Sequence, residues 1–282
     1  MSAGSLPPDA PSDGRLLSEL PVLRYAGGQW CQEAAEPVAT EEPLELRVQL
    51  ADGGSEALSV TMRTPGHDLQ LVRGWLQAEG LTGAVSGLSQ DPELPNVVWL
   101  RGDEQALMAA RRATATTSAC GICGSGSVER LMLRVLPPVW TAPPLSPELI
   151  CALPEQLREA QPAFRASGGL HAAGLFTSGG TLLGAYEDVG RHNAVDKLVG
   201  ACLAGEVAGS GLPLSSRVLV TSSRAGFEIV QKALLAGVPV VVTVGAPSSL
   251  AVETAVSLGL TLVGFVRQGR FNVYAGQGRL NI

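Results

Sequence analysis

Between residues 217 and 266, apolar stretches of strand length alternate with helix-length stretches, and this alternation restricts the chain more than any other feature. Strands are expected over 217–222, 238–244 and 260–266, with helices over 227–236 and 248–258 between them. A βαβαβ order implies a parallel sheet with right-handed crossovers and helices on its faces, a three-layer α/β arrangement. A last strand over 271–274 follows a glycine turn. In such sheets ligands bind outside the carboxyl ends of the strands, where loops meet helix N-termini. Two loops there, Thr221-Ser222-Ser223-Arg224-Ala225-Gly226 and Gly245-Ala246-Pro247-Ser248-Ser249, combine small residues, hydroxyls and a helix start. Such loops offer backbone N–H groups to a phosphate, although ordinary helix caps have the same composition and neither loop matches a Walker or dinucleotide fingerprint. At the next strand end, Arg267 and Arg270 flank Gln268 and Gly269. Two guanidinium groups so placed suit a pyrophosphate, with Phe271 and Asn272 beside them for a ring system.

Upstream, 171–176 and 181–186 read as two strands joined by the turn Thr177-Ser178-Gly179-Gly180. The run Glu187-Asp188-Val189-Gly190-Arg191-His192-Asn193 then opens a helix over 194–204. It is dense in titratable groups, so His192 with Asp188 is a candidate acid/base pair, while Asp188 as the cap of the following helix is an equal reading. Further upstream, 44–50 and 57–62 read as a hairpin around Asp52-Gly53-Gly54. A helix over 69–79 follows His67 and Asp68 and stops at Gly80, with His67 read as a turn or cap residue. A strand over 96–100 and a helix over 104–113 lead to the loop Ser118-Ala119-Cys120-Gly121-Ile122-Cys123-Gly124-Ser125-Gly126. The expected organisation is a disordered tail over 1–28, a smaller α+β part over 29–136, a proline-rich connection over 137–168 with a short helix over 146–160, and an α/β nucleotide-cofactor domain over 169–282.

The paired thiols Cys120 and Cys123 are the expected reactive site. The stretch 127–136 has helical periodicity, which places both thiols before a helix N-terminus, an environment that lowers a cysteine pKa from its free value of about 8.5. Structural zinc requires about four ligands. Here the remaining thiols, Cys31, Cys151 and Cys202, are isolated and His67, His171 and His192 are dispersed, so no metal is expected. A thioredoxin-type dithiol fits the spacing but not the surrounding pattern, and a purely structural loop would leave two thiols among glycines without a packing reason.

With 20 basic against 26 acidic residues and a net charge of -6, the chain has no bulk charge for nucleic acid. Its longest apolar run, 233–246, is interrupted by Gly237 and Pro239 and is too short to span a bilayer. The first twenty residues lack the pattern of a secretory signal, and five cysteines is an odd count, so the reducing cytoplasm is the expected compartment.

Five separated blocks carry a resemblance: Ser118 to Gly124 around the thiols, EDVGRHNAVDK over 187–197, SSRAGFEIVQKA from Ser222, APSSLAVETA from Ala246 and GFVRQGRFNVYAG from Gly264. Together they closely resemble the formate dehydrogenase accessory sulfurtransferase family, FdhD, over about residues 42–274. The family pattern has Ser-Gly-Arg where this chain has Ser222-Ser223-Arg224. The resemblance implies a sulfur carrier loaded by a cysteine desulfurase, with Cys120 forming the persulfide; thiol chemistry leaves Cys123 two roles, donating a hydrogen bond to the Cys120 thiolate or later attacking the inner sulfur of its persulfide. The resemblance further implies delivery of sulfur to molybdenum in a bis(molybdopterin guanine dinucleotide) cofactor, bound as substrate rather than as a permanent cofactor, on behalf of formate dehydrogenase. Arg267, Gln268, Gly269, Arg270, Phe271 and Asn272 are carried over as part of the cofactor-binding segment, and a homodimer is the expected assembly. A cofactor chaperone without sulfur transfer and a dithiol oxidoreductase are the alternatives. The family is also similar to the cytidine-deaminase architecture, but deamination needs H-x-E followed by P-C-x-x-C. Here His171 precedes Ala172 and Ala173, and the thiol pair comes earlier in the chain, which argues against it.

Overall fold

Residues of the second half form strands wherever β-branched and leucine-rich runs can be buried on both faces. The computed structural model describes residues 16–115, 131, 134, 135 and 137–282. Cys120, Cys123 and the helix expected over 127–136 after them lie largely outside the described residues, and both thiols do so entirely.

The larger sheet has six strands in the order β12-β11-β10-β9-β7-β8. They are β7 (His171–Thr177), β8 (Leu182–Asp188), β9 (Arg217–Thr221), β10 (Val240–Thr243), β11 (Thr261–Arg267) and β12 (Arg270–Ala275). The three central strands β9, β10 and β11 run parallel, as the alternating pattern requires. The sheet is nevertheless mixed: β7 is antiparallel to both β8 and β9, and β12 is antiparallel to β11. The hairpin expected over 171–186 forms as β7 and β8, and a hairpin-linked strand must reverse direction whereas a helical crossover need not.

Helices α5 (Arg191–Leu203), α6 (Phe227–Leu235) and α7 (Ser249–Ser257) cover one face. Their core includes Leu175, Leu198, Leu219, Ile229, Val241 and Leu262. The opposite face is covered by α3 (Pro147–Glu159), whose Ile150, Leu153 and Leu157 pack on Phe176, Val220, Val242 and Val263. Ser146 caps α3 by accepting from Leu149 N at 3.2 Å, and Pro147 occupies the first turn, where its missing N–H costs nothing. The stretch 137–168 is therefore more than a connection, since α3 supplies one layer of the larger sheet and Leu145 bridges Leu280. The short α4 (Pro162–Ser167) follows.

The first half builds a four-stranded sheet, β4-β3-β6-β5, from β3 (Glu42–Gln49), β4 (Ser55–Arg63), β5 (Val85–Gln90) and β6 (Val97–Gly102). Helices α1 (Asp68–Glu79) and α2 (Glu104–Ala115) accompany it, and Leu71, Val72, Leu76 and Leu107 share a core with Leu44, Leu46, Val98 and Leu100. The tail expected over 1–28 needs correction for its described part. There β1 (Leu17–Ala26) pairs antiparallel with β2 (Gln29–Ala39) through a tight turn at Gly27 and Gly28, both at positive φ. This hairpin leaves Leu23, Tyr25 and Trp30 exposed, so it lacks the buried face that makes a strand visible in a sequence. Among the described residues no helix is long and apolar enough to cross a membrane.

Candidate functional site at the carboxyl edge of the larger sheet

Strand direction gathers the chemistry. Because β7 opposes both of its neighbours, the carboxyl ends of β8, β9, β10 and β11 share one edge with the start of β7 at His171. The loops after β9 and β10 are laced to each other there. Gly245 N donates to Ser223 O at 3.1 Å, Ala225 N to Ala246 O at 3.2 Å, and Ser248 N to Ala225 O at 2.9 Å. A side chain at 245 would meet the Arg224 Cα at 2.9 Å, so only glycine allows this approach. Ser223 is buried and its hydroxyl donates to the Arg224 carbonyl at 3.1 Å, which accommodates a side chain where the family pattern has none. Ser248 caps α7 by accepting from Ala251 N at 3.3 Å, so the cap reading of this loop holds for that residue.

Arg267 and Arg270 face each other across the β11–β12 turn, with Gln268 at φ 51° and Gly269 at φ 72°. Two consecutive positive φ values make a two-residue hairpin turn of the primed type, which puts both guanidinium groups at the tip. Arg267, Gln268, Gly269 and Arg270 are exposed, as is Asn272, whose amide donates to the Tyr274 hydroxyl at 3.3 Å. Phe271 is half-buried against the core beneath α3.

The titratable run at the end of β8 sorts into separate roles. Asp188 is fully buried and meets Lys197 Nζ at 2.7 Å, also fully buried. It accepts further bonds from Thr64 N at 3.2 Å, Gly190 N at 2.8 Å and Asn193 Nδ2 at 3.0 Å. With that set of donors its oxygens are committed to structure and to the start of α5. His192 instead places Nδ1 2.7 Å from Glu228 Oε2 in the first turn of α6. Hydrogen bonding to His192 holds the Glu228 carboxyl below its usual range against the opposing effect of burial. Glu187 turns to the other side and caps α4, accepting from Phe164 N at 2.7 Å and Ala163 N at 3.1 Å. Burial raises the Glu187 carboxyl pKa, with the two backbone bonds opposing. His171 is pushed below the usual histidine value by burial first and by Arg191 and His192 next, with Asp188 acting in the opposite sense.

Sequence reasoning selected Arg267 and Arg270 but not Arg191, Arg224, His171 or Glu228. Glu228 gave no signal, because a carboxylate in a first helical turn is favoured by the helix dipole alone. The four arginines are distinguished by what they lack. Among the described residues Arg191, Arg224, Arg267 and Arg270 make no side-chain hydrogen bond or ion pair, whereas Arg24, Arg47, Arg63, Arg111 and Arg158 each face a carboxylate. Of the described arginines without a partner, only Arg73 lies away from this edge. Unpaired guanidinium groups along one edge form a field suited to anions.

Two of the isolated thiols are held in the protonated form. Cys202 is buried on α5, and burial raises its pKa; burial and Glu148 do the same for Cys151 on α3. Among the described residues no group of His, Cys, Asp and Glu is arranged to hold a metal ion.

Comparison with known proteins gives this arrangement its relatives. The chain is 44% identical to the sulfur carrier protein FdhD of Corynebacterium efficiens, over 94% of this chain and 99% of that protein. It is 41% identical to the protein of the same name from Streptomyces coelicolor, over 95% of this chain and 96% of that one. A crystal structure from Desulfotalea psychrophila, assigned to a formate dehydrogenase accessory protein, superposes with a TM-score of 0.71 at 22% identity, covering 94% of this chain and all of that one. That likeness confirms the mixed α/β fold. The FdhD/NarQ family model spans residues 39–281, and the chain belongs to that family.

Proposed function

We propose that this chain is a sulfur carrier that accepts sulfane sulfur from a cysteine desulfurase and transfers it to a molybdenum bis(guanine dinucleotide) pterin, the cofactor of formate dehydrogenase, bound as substrate. The observation that carries the reading is the pair Arg267 and Arg270, exposed on a tight turn and unpaired among the described residues at the ligand-binding edge of an α/β sheet. Guanidinium pairs bind phosphate oxygens in bidentate fashion, which suits the diphosphate of a guanine dinucleotide. The relatives' name, sulfur carrier protein, supports the other half of the reading.

In the first step the Cys120 thiolate attacks the outer sulfur of the donor persulfide. The S–S bond of the donor breaks, a Cys120 persulfide forms, and the desulfurase cysteine leaves as thiolate, so no net oxidation occurs. In the second, Cys123 attacks the inner sulfur of that persulfide and expels the outer sulfur as hydrosulfide toward the substrate metal. The two electrons carried by the departing sulfur come from the thiol pair, which is left as a Cys120–Cys123 disulfide and is reset by a dithiol reductant. The resemblance supports a homodimer, a cytidine-deaminase-like architecture and a cytoplasmic location as parts of the same reading.

Intact mass after incubation with desulfurase and cysteine tests the chemistry. A reductant-sensitive gain of one sulfur, about 32 Da, is expected in the parent chain and not in Cys120→Ala. Loss of two hydrogens with no sulfur gained would identify a dithiol oxidoreductase instead. Calorimetry with guanosine diphosphate tests the edge: Arg267→Glu with Arg270→Glu should weaken binding about tenfold or more, and undiminished affinity would remove the hairpin from the site. Nucleotide binding in a chain that gains no sulfur would leave only a cofactor chaperone.

A further inference from the structure

Strand β5 is an edge of the first sheet that the rest of the chain leaves open. It pairs with β6 on one side, and among the described residues the backbone groups of 86–90 are bonded to no other element. The opposite edge, β4, is occupied by comparison: Asn193 Nδ2 donates to Met62 O at 2.7 Å and Glu56 pairs with Arg111. Exposed edges are commonly guarded by charge or proline. The sequence of β5, Val-Ser-Gly-Leu-Ser-Gln, has neither, and a Cβ added at Gly87 would meet nothing closer than the Arg101 Cβ at 3.9 Å. Beside that edge lies a cavity of about 270 Å³ between β5, α1 and the last residue of α5. Its apolar lining is Leu76, Val85, Leu88 and Leu203, of which Val85 and Leu88 are half-buried against the core of the first sheet. Arg73, half-buried on α1, is the charged group of the lining and makes no hydrogen bond or ion pair among the described residues. The Glu206 carboxylate reaches α1 one turn earlier, where it accepts from Gln70 Nε2 at 2.8 Å and leaves Arg73 unpaired.

We infer that β5 and this cavity form a docking groove for an extended peptide segment of a partner protein, which ends in an apolar residue and a free carboxylate. The open strand edge, the apolar cavity beside it and the unpaired cation in the cavity wall are three separate features, and this one ligand satisfies all of them. Added strands take affinity from main-chain hydrogen bonds and specificity from pockets for their side chains. Here residues 86–90 supply the main-chain groups, Leu76, Leu88 and Leu203 enclose the terminal side chain, and Arg73 pairs with the carboxylate. Leu203 ends the helix that Arg191 begins, so the groove lies a helix length, about 18 Å, from the carboxyl edge of the larger sheet. It therefore depends on neither the sulfur transfer nor the arginine hairpin.

The test uses the whole chain, with the pentapeptide Ser-Thr-Val-Thr-Leu labelled with fluorescein at its N-terminus as the probe. Anisotropy compares its free acid with its C-terminal amide and with a free acid ending in glycine instead of leucine. In the parent chain the amide should bind about tenfold more weakly than the acid, and the glycine-ended acid should lose about tenfold or more. In Arg73→Gln the acid and the amide should bind alike. The comparison of acid with amide needs no variant, so it stands even where Arg73→Gln fails to fold. Hydrogen exchange read by mass spectrometry should show the acid protecting 85–90 and not 55–63. No binding of the acid at millimolar concentration, equal binding of acid and amide to the parent chain, or protection confined to other segments overturns the groove. A preference for the acid that survives in a folded Arg73→Gln does the same. Hexanoate binding as tightly as the acid peptide, without protecting 85–90, would give the cavity to a small carboxylate and overturn the docking of a peptide. A fall in sedimentation coefficient on adding the peptide would give the groove to a second copy of this chain and overturn the partner.

Discussion

Tyr186, Glu187 and Asp188 show how three consecutive side chains acquire unrelated properties from strand period alone. Glu187 projects toward α4, while Tyr186 and Asp188 project toward α5 and the first sheet. Tyr186 is 4% exposed and meets the His67 ring edge-on at 5.0 Å. Burial pushes its phenol up to about 12, from an ordinary value of 10.0. A folded-state pKa above the unfolded one means stability that is complete below pH 10.0 and is lost as pH rises toward about 12. Over that window the phenol costs the fold about 1.4 kcal/mol per pH unit. Tyr186→Phe has no proton to lose there. Denaturation measured from pH 8 to 11 should therefore show the parent chain losing stability more steeply than the variant above pH 10. Parallel curves would mean that the phenol is not held neutral by its surroundings.

At the scale of elements, the crossing of α1 over α5 depends on two glycines. A Cβ at Gly74 would lie 2.0 Å from the Asp196 carbonyl oxygen, and one at Gly200 would lie 1.8 Å from that of Gln70. Both obstacles are backbone, so neither helix can yield without separating. Gly200→Ala should destabilise the chain by about 2 kcal/mol or more, against less than about 0.5 kcal/mol for Gly211→Ala in open space. A Gly200→Ala melting temperature equal to that of Gly211→Ala would show that the helices cross less closely. Nothing in the sequence singles these positions out among 34 glycines, because a glycine inside a helical pattern reads only as a loss of propensity. The helices themselves were legible: 69–79 was expected where Asp68–Glu79 forms, and 227–236 where Phe227–Leu235 forms. Apolar periodicity and a glycine stop are local signals. The direction in which β7 joins β9 is not local, and neither is the use of α3 as a layer of the sheet. Strand β5, Val-Ser-Gly-Leu-Ser-Gln, has too little alternation to be read, and it forms because β6 offers an edge. Of the candidate site, the arginine hairpin was visible as a motif. The partners of His192 and Asp188 were not, since both Glu228 and Lys197 reach them only through the packing of α5.

For the whole molecule, the decisive contact is the buried seam that joins the two sheets at the turn between β4 and α1. Lys197 Nζ donates to Thr64 O at 2.8 Å and pairs with Asp188, while Thr64 N donates to Asp188 and Thr64 Oγ1 accepts from Val189 N at 3.1 Å. Asn193 adds a bond to Met62 O at 2.7 Å. The residues that fix the start of α5, and hence Arg191 and His192, are thus the same ones that hold the first sheet in place. Coupling of this kind makes the carboxyl edge of the larger sheet and the first sheet one cooperative unit. Lys197→Met leaves the Asp188 carboxylate buried without a cation, which should cost about 3–5 kcal/mol. Replacing both partners, Asp188→Asn with Lys197→Met, should recover part of that loss, because an amide needs no cation. With Trp30 and Trp140 replaced by phenylalanine, Trp75 on α1 and Trp99 on β6 report the first sheet by fluorescence, and far-ultraviolet dichroism reports the whole chain. In Lys197→Met both signals should move together to a lower midpoint. A fluorescence midpoint that falls while the dichroism midpoint stays would mean that the sheets unfold independently, and that the seam does not transmit the state of one to the edge of the other.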